Sequence, residues 1–408
     1  MRSTPARPET VFTYAAPTLV YGAGAVRDIG FHLQAARRPL VITDPGVRAT
    51  GAADLVAGLL DAEVFDGAHV EPTDVSLERA VAWAVANGPF DALVAVGGGS
   101  TIDTAKAVNL LTTNPGTLMD YVNAPIGGGR VPEMALHPLI AVPTTTGTGS
   151  ESTTICVLDV LDQHVKTGIS HGRLRPTVAI VDPDLTMTQP PMVTACAGLD
   201  ILCHALESYT ARPYTSFEAK TPAQRVPYCG ANPISDVWAQ TALRLLAESF
   251  VPAVRHGHAE DRAKMALAAT LAGMGFGNAG VHVPHANAYP IAGRARDYRP
   301  PDYPQDHALI PHGMAVSLTA PASLRLLYDA DPARQNRAAA LLGGHDLSLT
   351  VREMMDAVGM PSGLRAVGFA EHDIDDLVEG AWAQQRLLAL APLEVDRGDL
   401  AAVFRESL

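Results

Sequence analysis

Short runs of β-forming residues alternate with helical segments through the first half of this 408-residue chain, between residues 19 and 183. Strands that alternate with helices in this way pair in parallel within a single, doubly wound sheet. The strand candidates are residues 39–43, 91–96, 139–142 and 177–181, each an almost continuous apolar run. Continuous apolar runs are typical of strands buried on both faces. The pattern therefore predicts an α/β domain built on a parallel sheet.

The second half of the chain has a different pattern, because β-rich runs stop after residue 190. Long segments rich in Ala and Leu follow, and their spacing of apolar residues predicts amphipathic helices. The predicted helices cover residues 232–256, 260–274, 313–328 and 371–390. Residues 211–230 interrupt this half as a long excursion between two helices. We predict an α/β domain over residues 1–186 and an all-helical domain over residues 187–408.

Composition and charge exclude several classes of protein. The formal net charge of −13 argues against nucleic acid or an anionic membrane surface as a partner. No apolar run approaches the ~20 residues that a membrane span needs. The four cysteines show no CxxC spacing, which indicates neither a disulfide framework nor a zinc ribbon. Residues 1–8 are too short and too rich in proline for a targeting segment, so a cytoplasmic protein is expected.

A glycine-rich turn follows the second predicted strand and opens a helix. It consists of Gly97, Gly98, Gly99 and Ser100, and we call it the glycine turn. Glycines let the backbone approach a phosphate closely, and free N–H groups at the start of a helix favour an anion. The turn lacks the GxGxxG spacing, so a tight strand-to-helix turn without a ligand also explains it.

Two further features are consistent with a nucleotide near this turn. Residues 143–151, which we call the hydroxyl loop, offer hydroxyl groups for phosphate, ribose and amide contacts, although such a loop is also an ordinary turn. Asp44 closes the first predicted strand, where a carboxylate accepts hydrogen bonds from a ribose 2′-OH and repels a 2′-phosphate. NAD is therefore favoured over NADP, although a turn-forming Asp before Pro45 explains Asp44 almost as well.

Residues 198–209 predict an apolar helix that carries two polar side chains on one face. Asp200 and His204 are four positions apart, so their side chains lie one above the other. A buried Asp–His hydrogen bond or a surface pair explains this pair equally well. Further histidines follow at positions 282, 285, 307 and 312. A carboxylate with imidazoles suits Fe²⁺, Zn²⁺ or a similar ion, but spacing alone does not select four ligands among 14 histidines.

Taken together, these motifs resemble the iron-containing (group III) alcohol dehydrogenase family, whose motif order they follow across nearly the whole chain. The resemblance implies a dehydroquinate synthase-like architecture with a Rossmann-like sheet, an NAD cofactor and a divalent metal, Fe²⁺ ahead of Zn²⁺. It leaves His282 either as a residue that supports the ligands from behind or as a packing residue, and it leaves His307 without a role. The metal ligands that it implies are Asp200, His204, His285 and His312. The NAD contacts that it implies are Asp44, Gly97, Gly98, Gly99, Ser100, Asp103, Thr144, Thr145, Thr148, Lys166 and Leu185.

The resemblance also bears on catalysis. Many family members have a second histidine four residues after the third metal ligand, whereas this chain has Tyr289 there. The proton relay of the simple-alcohol members is therefore not carried over unchanged, although a tyrosine hydroxyl is able to take part in one. We predict Tyr289 and Asn278 as catalytic residues.

Within the family, the resemblance is closer to members that pass a hydride from 4-hydroxybutyrate to 2-oxoglutarate through bound NAD. It rests on residues 70–74, 211–230 with 232–236, 275–282, 289–291 and 306–312. This resemblance also implies a homo-oligomer, and we expect it to be a dimer. Both substrates carry carboxylates, which favours cationic side chains in the site. The candidates are Lys220, Arg225, Arg294 and Arg296, and each is also explained as a surface charge.

Three other functions share some of these motifs. An ordinary NAD-dependent alcohol or 4-hydroxybutyrate dehydrogenase shares all of them and releases NADH in every turnover. A non-catalytic metal- or nucleotide-binding protein would not need intact ligands together with both cofactor loops. A relative of the glycerol-1-phosphate or 3-dehydroquinate synthase type would carry more phosphate-binding cations in the helical half.

Overall fold

The computed structural model describes residues 7–163, 165–225, 227–303 and 305–408, which divide into two compact units. The sheet unit comprises Ala16–Ala197 and Pro252–Gly273. The helical unit comprises the described part of Met1–Ala15, together with Gly198–Val251 and Met274–Leu408. The predicted order, an α/β part followed by a helical part, is confirmed. The boundary between residues 186 and 187 stays a prediction.

All the strands of the described residues lie in the sheet unit. They are β1 (Thr18–Tyr21), β2 (Pro39–Ile42), β3 (Glu63–Phe65), β4 (Ala92–Gly97), β5 (Leu139–Pro143), β6 (Ile155–Val160), β7 (Val165–Ser170) and β8 (Val178–Val181). Six of them form one parallel sheet in the order β1-β8-β5-β4-β2-β3. The other two, β6 and β7, form an antiparallel pair. The four strands predicted from the sequence are β2, β4, β5 and β8, and all four are confirmed.

Helices cover both faces of the parallel sheet. The helices of this part are α1 (Ile29–His32), α2 (Pro45–Ala49), α3 (Ala52–Leu60), α4 (Asp74–Asn87), α5 (Gly99–Thr113) and α6 (Leu118–Tyr121). Side chains alternate along a strand, so Leu40 and Leu93 pack against α4 and α5. Val41 and Val94 point to the opposite face and pack against α1 and α3. This double burial explains why the strands are apolar at every position.

The order of the strands reverses beside the glycine turn. β2 and β4 are adjacent and parallel. The chain runs from β2 to β3 on one side, and from β4 to β5 on the other. Doubly wound sheets bind ligands outside the carboxyl ends of the strands at such a reversal. Asp44 follows β2 and Gly97 ends β4, so both lie at the reversal.

The rest of the chain is helical. Its helices are α7 (Pro191–Thr210), α8 (Pro233–His256), α9 (Ala259–Ala279), α10 (Val283–Gly293), α11 (His312–Leu326), α12 (Pro332–Leu341), α13 (Leu347–Ala357), α14 (Ile374–Trp382), α15 (Gln385–Leu388) and α16 (Arg397–Glu406). α10 and α11 pack against each other and are buried over most of their length, which makes them the centre of the helical unit. None of the described helices combines the length and apolar character that crossing a membrane requires.

Three of the four helices predicted in this half are single helices, namely α8, α9 and α11. The fourth, predicted over residues 371–390, is divided between α14 and α15. Gln384 separates them with a ψ of 44°, which lies outside the helical region. The apolar spacing continues across this residue, so periodicity alone predicts one helix where the backbone makes two.

Gly149, at the end of the hydroxyl loop, gives a test of this packing. Its φ is +61°, and an added Cβ would lie 2.7 Å from the Cα of Gly273. We expect Gly149→Ala to lower the free energy of unfolding by about 1–2 kcal/mol from the left-handed backbone alone, and further through the clash. The measurement is the midpoint of urea unfolding. Gly172→Ala is the control, since no described atom lies within 4 Å of a Cβ there; an equal effect of the two variants would contradict this packing.

Candidate functional site

Helix α7 carries the first part of a metal centre on a buried face. Asp200, His204 and Glu207 are spaced by four and three residues, so their side chains share that face. Each of them is only 1–3% exposed. The residues between them, such as Leu202 and Leu206, are buried as well. Two carboxylates and an imidazole in such surroundings need bonding partners.

Three histidine side chains converge on Asp200. Its Oδ1 atom lies 3.6 Å from His204 Nε2 and 3.5 Å from Nε2 of His285, which is on α10. His312, the first residue of α11, places its Nε2 3.7 Å from the same oxygen. The four ligand atoms all lie within 4.8 Å of one another. A tetrahedral ion about 2.1 Å from each ligand would separate them by about 3.4 Å. The structure thus brings the four predicted ligands together.

The chemistry of these atoms fits a divalent metal. Asp200 Oδ1 and His285 Nε2 are buried and have no hydrogen-bond partner among the described residues. Leaving such atoms without partners is costly, and a metal ion between them would satisfy both. One carboxylate oxygen with three imidazole nitrogens, and no thiolate, is a donor set that suits both Fe²⁺ and Zn²⁺.

The charges around the centre favour a cation. Burial lowers the pKa of His204 to about 3, so this imidazole is neutral and ready to bind a metal at neutral pH. Burial also opposes the charge on His285, but the carboxylates of Glu207 and Asp200 outweigh it and raise the pKa to about 9. Burial would raise the pKa of Asp200, yet the neighbouring histidines hold it below its ordinary value. The two carboxylates therefore stabilise positive charge at this place.

Sequence reasoning missed two residues that contact the ligands. Glu207 accepts a short hydrogen bond from Nδ1 of His285. The ring of Phe276 stacks on His204, with 3.8 Å between the centroids. Glu207 did have a sequence signal, because it is an acidic residue three positions after His204 in an apolar helix. Phe276 had none, since a phenylalanine in a helix is usually an ordinary core residue.

The two other histidines of the sequence motifs lie outside the ligand set. His282 is fully buried, and its Nε2 lies 3.1 Å from the hydroxyl of Thr210. Burial lowers the pKa of His282 to about 4, so it is a neutral packing residue. His307 is exposed and pairs with its neighbour Asp306 at 2.7 Å.

The glycine turn and the hydroxyl loop contact each other, because they follow the adjacent parallel strands β4 and β5. A Cβ on Gly98 would lie 3.0 Å from the hydroxyl oxygen of Thr145. A Cβ on Gly99 would lie 2.6 Å from that of Thr148. The glycines therefore leave room for these hydroxyls beside the turn. Thr144 is buried, and its hydroxyl has no hydrogen-bond partner among the described residues.

Asp44 caps a helix, and its carboxylate can still accept further hydrogen bonds. It begins α2, with Oδ1 accepting a hydrogen bond from the N–H of Val47 at 3.0 Å. Oδ2 accepts one from the hydroxyl of Thr101, also at 3.0 Å. Each carboxylate oxygen accepts two hydrogen bonds, so capacity remains for a ribose. Leu185 is partly buried against the sheet core. The predicted contacts of Asp44 and Leu185 with NAD stay predictions.

Asp103 is the partner of a fully buried lysine. Lys106 Nζ lies 3.1 Å from Asp103 Oδ1 and 2.7 Å from the hydroxyl oxygen of Ser150. The Ser150 hydroxyl and the N–H of Val157 both donate to Asp103. These bonds tie α5 to the end of the hydroxyl loop and to β6. Asp103 thus supports the cofactor loops from within, and its contact with NAD stays a prediction.

Lys166 lies between two carboxylates. Asp159 faces it across the β6–β7 pair, and Glu71 reaches it from the segment before α4. Burial would lower the pKa of Lys166, but these carboxylates raise it above its ordinary value. The backbone N–H of Glu71 also donates to the hydroxyl of Ser100, at 3.1 Å. Lys166 is therefore linked to the glycine turn through Glu71, and its predicted contact with NAD stays a prediction.

The two predicted catalytic residues have different surroundings. Tyr289 lies on α10 one turn after His285, and hence on the same face of the helix. Asn278 is buried, and its Nδ2 donates to the carbonyls of Ala15 and Met274. Its Oδ1 accepts from the N–H of Ala15 at 3.0 Å. These bonds explain Asn278 as an anchor for the backbone, and its predicted catalytic role stays a prediction.

Most of the candidate cations for a substrate carboxylate already have a carboxylate partner within the chain. The exception among them is Lys220, whose ammonium lies over the ring of Phe217 at 5.2 Å from its centroid. A paired guanidinium has to leave its partner before it binds a substrate. The pairs are Arg225 with Glu9, Arg294 with Asp376 and Arg296 with Asp373.

Two family profiles match most of the chain. One, described as iron-containing alcohol dehydrogenase, matches residues 16–183. The other, described as the C-terminal part of the Fe-containing alcohol dehydrogenase family, matches residues 226–408. The chain belongs to the iron-containing alcohol dehydrogenase family. It is therefore a metal-dependent oxidoreductase of this type, and membership implies NAD and a divalent metal, typically iron.

Individual members of the family are similar over nearly the whole chain. The hydroxyacid-oxoacid transhydrogenase of Bos taurus is 42% identical, over 97% of this chain and 90% of the relative. A 1,3-propanediol oxidoreductase structure has a TM-score of 0.84 at 30% identity, covering 98% of this chain and all of the other. The sulfoacetaldehyde reductase of Bifidobacterium kashiwanohense, solved with NAD⁺, has a TM-score of 0.82 at 27% identity, with 97% and 98% covered. The predicted fold is confirmed.

The predicted cytoplasmic location is wrong by this comparison. The hydroxyacid-oxoacid transhydrogenase of Bos taurus is named as a mitochondrial protein, which contradicts the expectation of a cytoplasmic location. The prediction rested on the lack of a recognisable targeting segment, and such a lack does not determine the compartment. Residues 1–6 of that segment lie outside the described residues. The predicted homo-oligomer stays a prediction.

Replacing Asp200 by asparagine tests the metal centre. Asp200→Asn keeps the shape but removes the charge on which three imidazoles converge, so we expect the dissociation constant for Fe²⁺ or Zn²⁺ to rise by more than about 100-fold. The measurement is metal content after dialysis together with titration against a competing chelator. Asp376→Asn is the control, because its side chain is 72% exposed on α14. Equal metal content in the two variants would refute the centre.

Proposed function

We propose that this iron-containing alcohol dehydrogenase is a hydroxyacid–oxoacid transhydrogenase, which moves a hydride from 4-hydroxybutyrate to 2-oxoglutarate through bound NAD. The observation that carries the proposal is the 42% identity to the Bos taurus enzyme of that name over 97% of the chain. The buried cluster of one carboxylate and three imidazoles supports metal dependence. The substrate pair is the one that the sequence resemblance implies.

In this proposal the ligands of the metal are Asp200, His204, His285 and His312. A divalent metal there supplies a Lewis acid for the substrate oxygen, and NAD supplies the hydride chemistry. The side chain of His312 is 29% exposed, whereas those of the other three ligands are 3–5% exposed. In this proposal substrate approaches from the side of His312, and the burial of the other three ligands limits the access of water to them.

The roles of the remaining residues follow from their positions. Tyr289 lies one turn beyond His285, where we assign its hydroxyl to carry a proton between the substrate oxygen and solvent. Asp44 and the glycine turn, at the reversal of strand order, would bind the ribose and the pyrophosphate of NAD. The charge of Asp44 opposes a 2′-phosphate, which favours NAD over NADP.

A deuterium-transfer experiment tests the proposal. The purified chain, reloaded with Fe²⁺ or Zn²⁺, is given 4-hydroxybutyrate deuterated at C4 and 2-oxoglutarate, with no added NAD. We expect succinic semialdehyde and 2-hydroxyglutarate carrying deuterium at C2, in molar excess over the NAD bound to the protein. The Asp200→Asn variant is the matched control and should form neither product.

Each other outcome contradicts a stated part of the proposal. Product that forms only with added NAD, while NADH accumulates in proportion, would identify an ordinary NAD-dependent alcohol or 4-hydroxybutyrate dehydrogenase. No product with or without NAD would show that the assigned substrates are wrong, although membership of the family would stand.

A further inference from the structure

We propose that Glu207 is a positioning residue of the metal centre, which sets both the place of α10 and the tautomer of His285. Glu207 lies on α7, on the same face as Asp200 and His204, and is 1% exposed. It is not one of the four ligands, yet it contacts His285 directly. The carboxylate therefore connects the helix that supplies two ligands with the helix that supplies the third.

The first role of Glu207 is to cap the N-terminus of α10. Its Oε1 accepts hydrogen bonds from the backbone N–H of His282 at 2.9 Å and of His285 at 3.1 Å. His282 precedes the first turn of α10, and its own side chain makes no capping hydrogen bond among the described residues. Free N–H groups and a partial positive charge stand at the beginning of a helix. A carboxylate on α7 thus supplies the cap that α10 lacks.

Glu207 also orients the ring of His285. Its other oxygen, Oε2, accepts from Nδ1 of that ring. Its Oε1 already accepts from the two backbone N–H groups, so both oxygens of the carboxylate act as acceptors. A carboxylate that accepts on both oxygens does not donate, which places the ring proton on Nδ1. Nε2, 3.5 Å from Asp200 Oδ1, is then the ring nitrogen that would bind a metal ion, which would take the place of a proton there.

A single substitution separates these two roles. Gln at position 207 has nearly the same volume, and its amide oxygen still accepts from the two backbone N–H groups. Its NH₂ group would face His285 Nδ1 and donate to it. The ring proton would then move to Nε2, which is the atom that binds the metal. Glu207→Gln is therefore expected to keep the packing of α10 but to weaken the binding of a metal by His285.

This inference rests on the metal centre proposed above, and the test compares metal binding with stability. Wild type, Glu207→Gln and Glu207→Ala are freed of metal and titrated with Co²⁺ against a competing chelator, while the visible spectrum reports the coordination of the ion. The urea-unfolding midpoint of each metal-free protein is measured in parallel. Glu379→Gln is the matched control, since Glu379 is exposed on α14 and pairs with Arg397.

We expect Glu207→Gln to raise the dissociation constant for Co²⁺ by about 10–100-fold and to alter the spectrum, as loss of an orienting hydrogen bond does in other metal sites. Its metal-free unfolding midpoint should stay close to that of the wild type, whereas Glu207→Ala should lose both affinity and stability. Glu379→Gln should change neither.

Three results would overturn the role of Glu207. Wild-type affinity and spectrum in Glu207→Gln would show that His285 does not depend on it. A Glu207→Gln chain that does not fold, or that loses affinity only in proportion to its metal-free stability, would show a purely structural residue. A wild-type chain that binds no Co²⁺ would instead refute the metal centre itself, so the two failures are distinguishable.

Discussion

Two carboxylates on one buried helix face, Asp200 and Glu207, are the constraint on which the helical unit depends. An ionised carboxylate in apolar surroundings costs several kcal/mol unless charged or hydrogen-bonding partners compensate it. Asp200 meets three imidazoles, and Glu207 meets the N–H groups at the beginning of α10. His204 lies on α7 itself, but the other partners come from α10, from His282 just before it, and from α11. Satisfying the two charges therefore requires both helices to pack in the middle of the unit, where most of their residues are buried.

In the sheet unit, too, buried charged side chains need partners, and these partners hold segments of the chain together. Two buried lysines, Lys106 beside Asp103 and Lys166 beside Asp159, lie where segments from different strands have to be held together. Partners fix a buried ion in position, so each pair gives its loop a defined geometry. The glycine turn lies close to the threonines of the hydroxyl loop, so that an added Cβ at Gly99 would clash with Thr148. A nucleotide bound at the strand reversal would meet preorganised groups, which lowers the ordering cost of binding.

The sequence predicts the sheet well and the metal centre only in part. Strands such as β4 are apolar at every position because both faces are covered, and a pattern of that kind is visible without a structure. Spacing places Asp200 and His204 on one helix face, but it carries no information about His312, which is more than one hundred residues away. The family resemblance supplied that ligand. Glu207 was missed because a carboxylate beside a ligand pair is ordinarily taken as a solvated charge, and only the tertiary contact with α10 shows its use.

The most direct test of this account is X-ray absorption spectroscopy at the metal edge, on protein purified without added metal and then loaded with one equivalent of Fe²⁺. We predict an ion bound by oxygen and nitrogen alone at about 2.0–2.2 Å, with the multiple-scattering signature of three imidazoles. The same spectrum should disappear in a chain that lacks Asp200. Sulfur at about 2.3 Å, or fewer than three imidazoles, would contradict the assignment of Asp200, His204, His285 and His312 as the metal centre.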